Sequence, residues 1–447
     1  MPTFRVVTLG CKLNQADSAA LEAALRRLGL TRAGGDADLV VLNTCTVTGA
    51  ADREARQIAR RLRRSRPETR LIVTGCYAER DAAALAAIAG VDQVVGMRDQ
   101  ATRVAALAAR AFGLEAPAPA RAAGDSPSGL PAALDLGRFG ATDACEPGQG
   151  DHTRAFLKIQ DGCDLRCAYC VIPSVRGASR SLPAEEILAR LRRLAAGGLR
   201  EIVFTGVNSG DWGRDLDPPG RLHDLLPRAL EAAGPARLRL NSLEPRTVTP
   251  EIAALLESAH GRLARHVQIP LQSGCDAVLA RMRRNYRTAD YARVVGRLAG
   301  TVPEAALGAD LIVGFPGETD AEFEATCRFV EASPLAYLHV FSYSPRPGTP
   351  AATMPGQVAP ALVRERSARL RAMAAALSLR FRRRFVGRTL EAIVLQGSRP
   401  DGRIRALTDN YIDLWLDPGG RAGLAAGTLT SARVTAVDAG DTLAEAA

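Results

Sequence analysis

Cys163, Cys167 and Cys170 stand in the spacing C-x3-C-x2-C, within Cys163-Asp-Leu-Arg-Cys167-Ala-Tyr-Cys170. Three thiolates can ligate three irons of a [4Fe–4S] cluster and leave the fourth iron without a protein ligand. An open metal position is where substrate or cofactor chemistry takes place, as at open catalytic zinc sites. A structural zinc site calls for a fourth Cys or His close by, and none follows at finger-like spacing. A second set lies upstream. Cys11 follows the run FRVVTLG, Cys45 follows LVVLNT and Cys76 follows LIVTG. Each comes just past a strand-like run, and the carboxyl ends of parallel strands line one crevice in an open α/β sheet. Any one of these could be buried simply as a small hydrophobe. Three at equivalent strand ends predict a second three-thiolate site, again with an incomplete ligand set. Of the nine Cys, three are left: Cys145 in a linker, Cys275 in the loop Gln272-Ser-Gly-Cys-Asp276 and Cys327 in an apolar helix. No role is expected for them.

Positioning these thiols requires a particular order of elements. Strand-like runs alternate with helical periods from Phe4 to about Leu114, which reads as βαβ units with an open parallel sheet. The first helix is read over 18–28 and the second over 52–62. Residues 115–150 are rich in Pro and Gly and read as a linker. A second βα series spans 151–385. Its six runs, from Ala155–Ile159 to Tyr337–Phe341, predict a closed or partial α/β barrel with working loops after the strand ends. A long Arg-rich helix ends this region. The tail, 386–447, has four short β-like runs separated by Gly, Asp and Pro, as in a small antiparallel β-barrel. The 447 residues are 47% hydrophobic and 24% charged, which excludes a wholly disordered or fibrous chain. No apolar run reaches the roughly 18 residues of a membrane span, and no signal peptide is read at the N-terminus. A cytosolic setting, with reduced thiols, is the expectation.

The triplet with an aromatic, Tyr169, before its last Cys resembles the radical S-adenosylmethionine (SAM) superfamily. Together with T-L-G-Cys11-K-L-N-Q, N-T-Cys45-T-V-T and T-G-Cys76-Y, it resembles the methylthiotransferase family over essentially the whole chain. The resemblance implies an N-terminal auxiliary-cluster domain, a radical SAM barrel and a C-terminal TRAM β-barrel. It implies two [4Fe–4S] clusters, held by Cys11, Cys45 and Cys76 and by Cys163, Cys167 and Cys170. It implies that one SAM methylates sulfur at the auxiliary cluster and a second gives a 5′-deoxyadenosyl radical. An electron donor protein and a sulfur source follow from that chemistry. Strand-end loops supply SAM-binding candidates: Gly206 and Asn208, Ser242 and Glu244, Gln272, and Gly314, with Tyr169 beside the triplet. Arg176 and Arg180, in a basic R-G-x-x-R segment, are expected to neutralise the SAM carboxylate or to contact substrate.

The net charge of +10 is carried almost wholly by Arg. Arg clusters follow Cys45, follow the barrel, and occur at Arg281, Arg283, Arg284 and Arg287. Such clusters suit a phosphate backbone, although genome composition also raises Arg. With the tail barrel, and Tyr411 and Trp415 as stacking candidates, they predict single-stranded or loop RNA; the family resemblance implies that this is a tRNA anticodon stem-loop. The family modifies N6-threonylcarbamoyladenosine or isopentenyladenosine in tRNA, or an aspartate of a small-subunit ribosomal protein. Thr8–Asn14, Asn43–Thr48 and Phe156–Cys163 look most like the threonylcarbamoyladenosine branch. A rival from another class is a non-catalytic RNA-binding iron–sulfur protein or redox sensor.

Overall fold

A computed structural model of the protein describes residues 1–115, 153–419 and 424–447. The predicted linker and Cys145 fall outside the described residues. The N-terminal sheet is five-stranded and wholly parallel. Its order is Thr31–Arg32, Thr3–Thr8, Leu39–Thr44, Arg70–Gly75, Gln93–Val95. Successive strand side chains point to opposite faces, so a run such as LVVL feeds two cores. Val41 joins Phe4, Leu21, Leu25 and Val104 on one face. Val40 and Leu42 join Ala55, Ala59 and Tyr77 on the other. The first helix, Lys12–Arg27, begins six residues before the predicted 18, directly after Cys11. Its opening turns carry Asn14, Asp17 and Ser18, which look like loop residues in sequence but are buried.

The second body is a partial barrel. Ala155–Lys158, Glu201–Thr205 and Arg237–Arg239 form one parallel sheet, and His266–Gln268, Ala306–Val313 and Tyr337–Ser342 another. A parallel bridge between Leu238 and Leu263 joins them in sequence order. No pairing among the described residues joins the first strand to the last, so the barrel is open along that side. Helix Lys12–Arg27 covers part of that opening: Ala16 packs with Phe156 and Val203. A small hairpin, Gln160–Asp161 with Arg180–Ser181, folds the chain around the cysteine triplet.

The tail closes as a five-stranded barrel, Thr389–Ser398, Ile404–Thr408, Asp413–Asp417, Thr442–Ala446, Leu429–Val437. Sequence reading finds four of these strands. The fifth, TLAEA, pairs parallel with Asp413–Asp417 and completes the closure; its alanines carry little strand propensity of their own. The barrel seats on the floor of the partial barrel, where Phe385, Leu390, Ile412 and Val434 meet Ala306 and Ala336. Tyr411 is a correction. Instead of standing free for a base, it stacks on His266 with ring centres 4.0 Å apart. Trp415 is likewise covered, by Arg399 at 4.2 Å. The Arg-rich helix, Pro360–Arg383, is corrected in part too. Arg366 is buried against Glu318 (2.8 Å) and Asp320 (2.6 Å). Arg369 pairs with Glu324, Arg388 with Glu304, and Arg382 and Arg384 bond backbone carbonyls.

Candidate active site

The three N-terminal thiols meet above the sheet. Thr44 is level with Gly75, so Cys45 and Cys76 leave adjacent strands together. Gly10 brings Cys11 against them. Its φ is +100°, and an added Cβ would lie 2.5 Å from Cys45 Cβ and 2.9 Å from Cys45 Sγ. Asn14 pins this turn by donating to the Leu9 and Thr44 carbonyls at 2.9 and 3.0 Å. Cys45 and Cys76 are buried, and Cys11 is exposed. Burial pushes the Cys76 thiol up to about 12 against the pull of Arg176; Cys45 is raised by burial and by Cys11.

The second triad lies in the loop after Ala155–Lys158. Cys163 and Cys167 are buried and Cys170 is partly so. Burial raises Cys163 to about 11 and Cys170 to about 12. Arg284 donates to Cys167 Sγ at 3.1 Å and also pairs with Glu244. Among the described residues no group of three or more Cys, His, Asp or Glu side chains is placed to hold a metal ion as it stands. The donor chemistry nevertheless fits an iron–sulfur cluster at each triad. Buried thiols held high by desolvation become thiolates only opposite a cation, and three sulfurs match the protein's share of a site-differentiated cluster.

Arg176 joins the two triads. The short helix Ile172–Arg176 carries it out of the triplet loop into the boundary with the N-terminal domain. Its Nε donates to Cys76 Sγ at 3.2 Å. Nη1 bonds Asp161 at 3.0 Å, and Nη2 bonds Asp17 at 2.9 Å and Asn14 at 3.1 Å. Lys158 completes the group, 2.5 Å from Asp17 and 3.2 Å from Asp161. Burial would raise the Asp161 carboxyl, but Arg176 and Lys158 hold it well below the usual carboxylate range. The expectation for Arg176 is thus corrected: its guanidinium is committed to this buried network rather than turned toward a cofactor carboxylate. Arg180 is exposed on the hairpin. A second link has the same logic: Arg346 bonds Thr46 at 2.8 Å and Asp52 at 2.5 Å, beside Cys45.

A cleft of about 220 Å³ lies between the bodies, lined by Val47 and Thr48 from the Cys45 loop and by Tyr169, Gln272, Asp310 and Phe341. Tyr169 stands edge-on to Phe315 at 6.5 Å. Gln272 has a φ of +66° and Ser242 of +56°, which only a tightly determined loop sustains in non-glycine residues. Asn208 is buried, and its Oδ1 has no partner. Such an orphan acceptor fits a ligand's donor. Gly206 is required by Gln160, whose Oε1 would be 2.8 Å from an added Cβ. Gly314, at φ +77°, donates its N–H to Glu318 at 2.9 Å. Glu244 is occupied by Arg284, and burial raises its carboxyl. Cys275 packs in the cluster that holds Ala168 and Tyr169 of the triplet loop, and Cys327 lies in the barrel core. Sequence reading missed Asp17, Lys158, Asp161 and Arg346, and it set Arg284 in an RNA-facing cluster, whereas Arg284 is buried against Cys167 and Glu244. The one available signal was Lys158 itself, a lone charge in an apolar strand.

The Radical SAM superfamily profile matches residues 157–330, and that of Uncharacterized protein family UPF0004 matches residues 3–96. The threonylcarbamoyladenosine tRNA methylthiotransferase of Bacillus subtilis is 34% identical over 417 residues, covering 92% of this chain and 90% of its own. The chain belongs to the radical SAM methylthiotransferase family. It is accordingly a transferase that employs SAM and a [4Fe–4S] cluster. Family members of other specificity are equally similar. The tRNA-2-methylthio-N(6)-dimethylallyladenosine synthase of Parafrankia is 36% identical, covering 88% of this chain and 78% of its own. The ribosomal protein uS12 methylthiotransferase of Chloroflexus aurantiacus is 33% identical, covering 92% and 91%. Among solved structures, the radical SAM methyltransferase TsrM from Kitasatospora setae shares the fold. Its TM-score is 0.52 at 18% identity, covering 75% of this chain and 72% of that one.

Proposed function

We propose that the protein is a tRNA methylthiotransferase that replaces the C2 hydrogen of N6-threonylcarbamoyladenosine, beside the anticodon, with a methylthio group. The observation that carries the reading is the pair of triads joined through Arg176 across one cleft. An adenine C2–H offers a base no useful acidity at neutral pH, so acid–base catalysis does not suffice. When bound, the radical SAM cluster with SAM supplies a hydrogen-abstracting radical, and a second cluster supplies sulfur.

The chain's own residues do the rest. Cys163, Cys167 and Cys170 hold one cluster, and Arg284 orients Cys167. Cys11, Cys45 and Cys76 hold the other. Asn208 accepts a donor of SAM, and Tyr169 with Phe315 walls the cleft from water. Arg176, Asp17, Asp161 and Lys158 fix the separation of the two clusters, as two-reactant chemistry requires. Residues 1–114 serve as the auxiliary-cluster domain, 151–385 as the radical SAM domain and 386–447 as a TRAM-like RNA-binding barrel. RNA is received on Arg53, Arg60, Arg61 and Arg64, exposed along helix Gly49–Ser65. An electron donor protein and a sulfur source act with it in the cytosol.

The test is nucleoside mass spectrometry on tRNA from a strain lacking the gene. The 2-methylthio form of N6-threonylcarbamoyladenosine disappears and returns on complementation. If it persists while methylthio-isopentenyladenosine or the modified ribosomal aspartate is lost, the substrate assignment is wrong. If none is lost and the anaerobically reconstituted protein releases no 5′-deoxyadenosine under strong reductant, the non-catalytic reading replaces it.

A further inference from the structure

Lys12 has no part in either cysteine triad, yet it stands where all three bodies meet. It directly follows Cys11 and opens helix Lys12–Arg27. Its Nζ donates to Asn241 Oδ1 at 3.0 Å, just past the third barrel strand. It also lies 5.5 Å from the centre of the Tyr411 ring, in the C-terminal barrel. The cations around it, Arg239 and Arg154, both lean on Glu201, which takes Arg237 as well. No carboxylate bonds Lys12 among the described residues. An ammonium has three donors; this one has the Asn241 amide oxygen and Tyr411, ring face and hydroxyl, as its partners. A half-buried cation among cations is costly unless an anion joins it.

A run of side-chain contacts links Lys12 to the reaction cleft. Tyr411 stacks on His266, which bonds Tyr337. Tyr337 neighbours His339, and His339 and Gln268 both bond Asp310 at 3.0 and 2.8 Å. Asp310 lines the cleft. The lumen is therefore cationic at Lys12 and acidic at the cleft. A base lying in the cleft with a negatively charged substituent pointing to the Lys12 end matches that polarity. An isopentenyl group brings no charge to meet Lys12. An aspartate has its carboxylate one bond from the reacting carbon and would set it against Asp310.

We propose that Lys12 is the specificity residue that pairs with the carboxylate of the threonylcarbamoyl group. The proposal rests on the substrate assignment given above. It is tested with anticodon stem-loop RNA carrying N6-threonylcarbamoyladenosine, or the same RNA with the threonine carboxylate converted to a carboxamide. Wild-type kcat/KM falls about ten- to a hundredfold on the carboxamide, mostly through KM. Lys12→Met loses a similar factor on the carboxylate RNA and little more on the carboxamide. Lys12→Arg retains most of the discrimination. Iron content reports whether each variant folds, and the wild-type comparison needs no variant. Equal wild-type rates on the two RNAs, or the same loss by Lys12→Met on both, overturn the role of Lys12 and leave the substrate assignment standing. A wild-type protein inert on both but active on isopentenyladenosine RNA overturns the substrate assignment, and Lys12 with it.

Discussion

Gly10 and Arg176 each do something no other residue type can do at that place. At Gly10, a positive φ coincides with a contact to Cys45 that no Cβ tolerates. Gly10→Ala therefore displaces Cys11 from its partners. Iron after anaerobic reconstitution is expected to fall from about eight toward about four per chain, with the radical SAM cluster retained. Arg176 offers a fork of donors to two carboxylates and a sulfur at once. Lysine keeps the charge but not the fork. Arg176→Met leaves Asp17 and Asp161 with Lys158 alone, and breaking a buried pair in this way costs about 3–5 kcal/mol. The expected signature of Arg176→Lys is uncoupling. 5′-Deoxyadenosine continues to form, while methylthio product per deoxyadenosine drops about tenfold or more, because a misplacement near 1 Å is costly. Product ratios by mass spectrometry read this directly.

The elements differ in how plainly the sequence announces them. Glu201–Thr205, Pro250–Ser258 and Ala306–Val313 stand at the residues their periodicity predicts. The triads were legible because each Cys follows an obvious strand, and parallel strand ends converge. The start of helix Lys12–Arg27 was not, because Asn14, Asp17 and Ser18 are buried by partners elsewhere in the chain. Arg176 meets Asp17 across 159 residues, and no local pattern records such a pairing. Strand Glu201–Thr205 shows the same hidden electrostatics at its first residue. Burial alone would raise the Glu201 carboxyl, but Arg239, Arg154 and Arg237 hold it at about 2. A carboxylate depressed in the folded state stabilises above its unfolded value, near 4.5, and that stability is lost as pH falls toward 2. The full contribution is on the order of 3 kcal/mol. Glu201→Gln is expected to remove it, so denaturant unfolding of the variant and wild type should differ at pH 7 and converge only below about pH 2.

At the scale of the whole molecule, the positive charge is less available than its total suggests. On helix Pro360–Arg383, Arg366 and Arg369 are spent on Glu318, Asp320 and Glu324, and barrel arginines such as Arg405 and Arg433 face Asp413 and Glu445. Helix Gly49–Ser65 keeps the freer set. Replacing Arg60, Arg61 and Arg64 with Gln should weaken tRNA binding and flatten its dependence on log salt by about 0.7–0.9 per lost phosphate contact. Arg369→Gln should change neither. Fluorescence anisotropy across a salt series distinguishes them. The C-terminal barrel is equally bound into the fold. Removing it uncovers Phe381 and Phe385 and strips Arg239 of the Thr408 and Asp409 carbonyls. Truncation at 386 is expected to yield aggregated protein rather than a folded enzyme with weak RNA affinity, as size-exclusion chromatography would show.

The cover over strand Ala155–Lys158 bears on how the chain is made. Among the described residues that strand pairs on one side only, with Glu201–Thr205, and a bare strand edge invites pairing with other chains. Helix Lys12–Arg27 packs beside it. Domains emerging from the ribosome fold from the N-terminus onward, so the shield is finished before the vulnerable edge is synthesised. The same N-terminal domain that carries three thiols thus stands ready as a packing surface for the barrel that follows it.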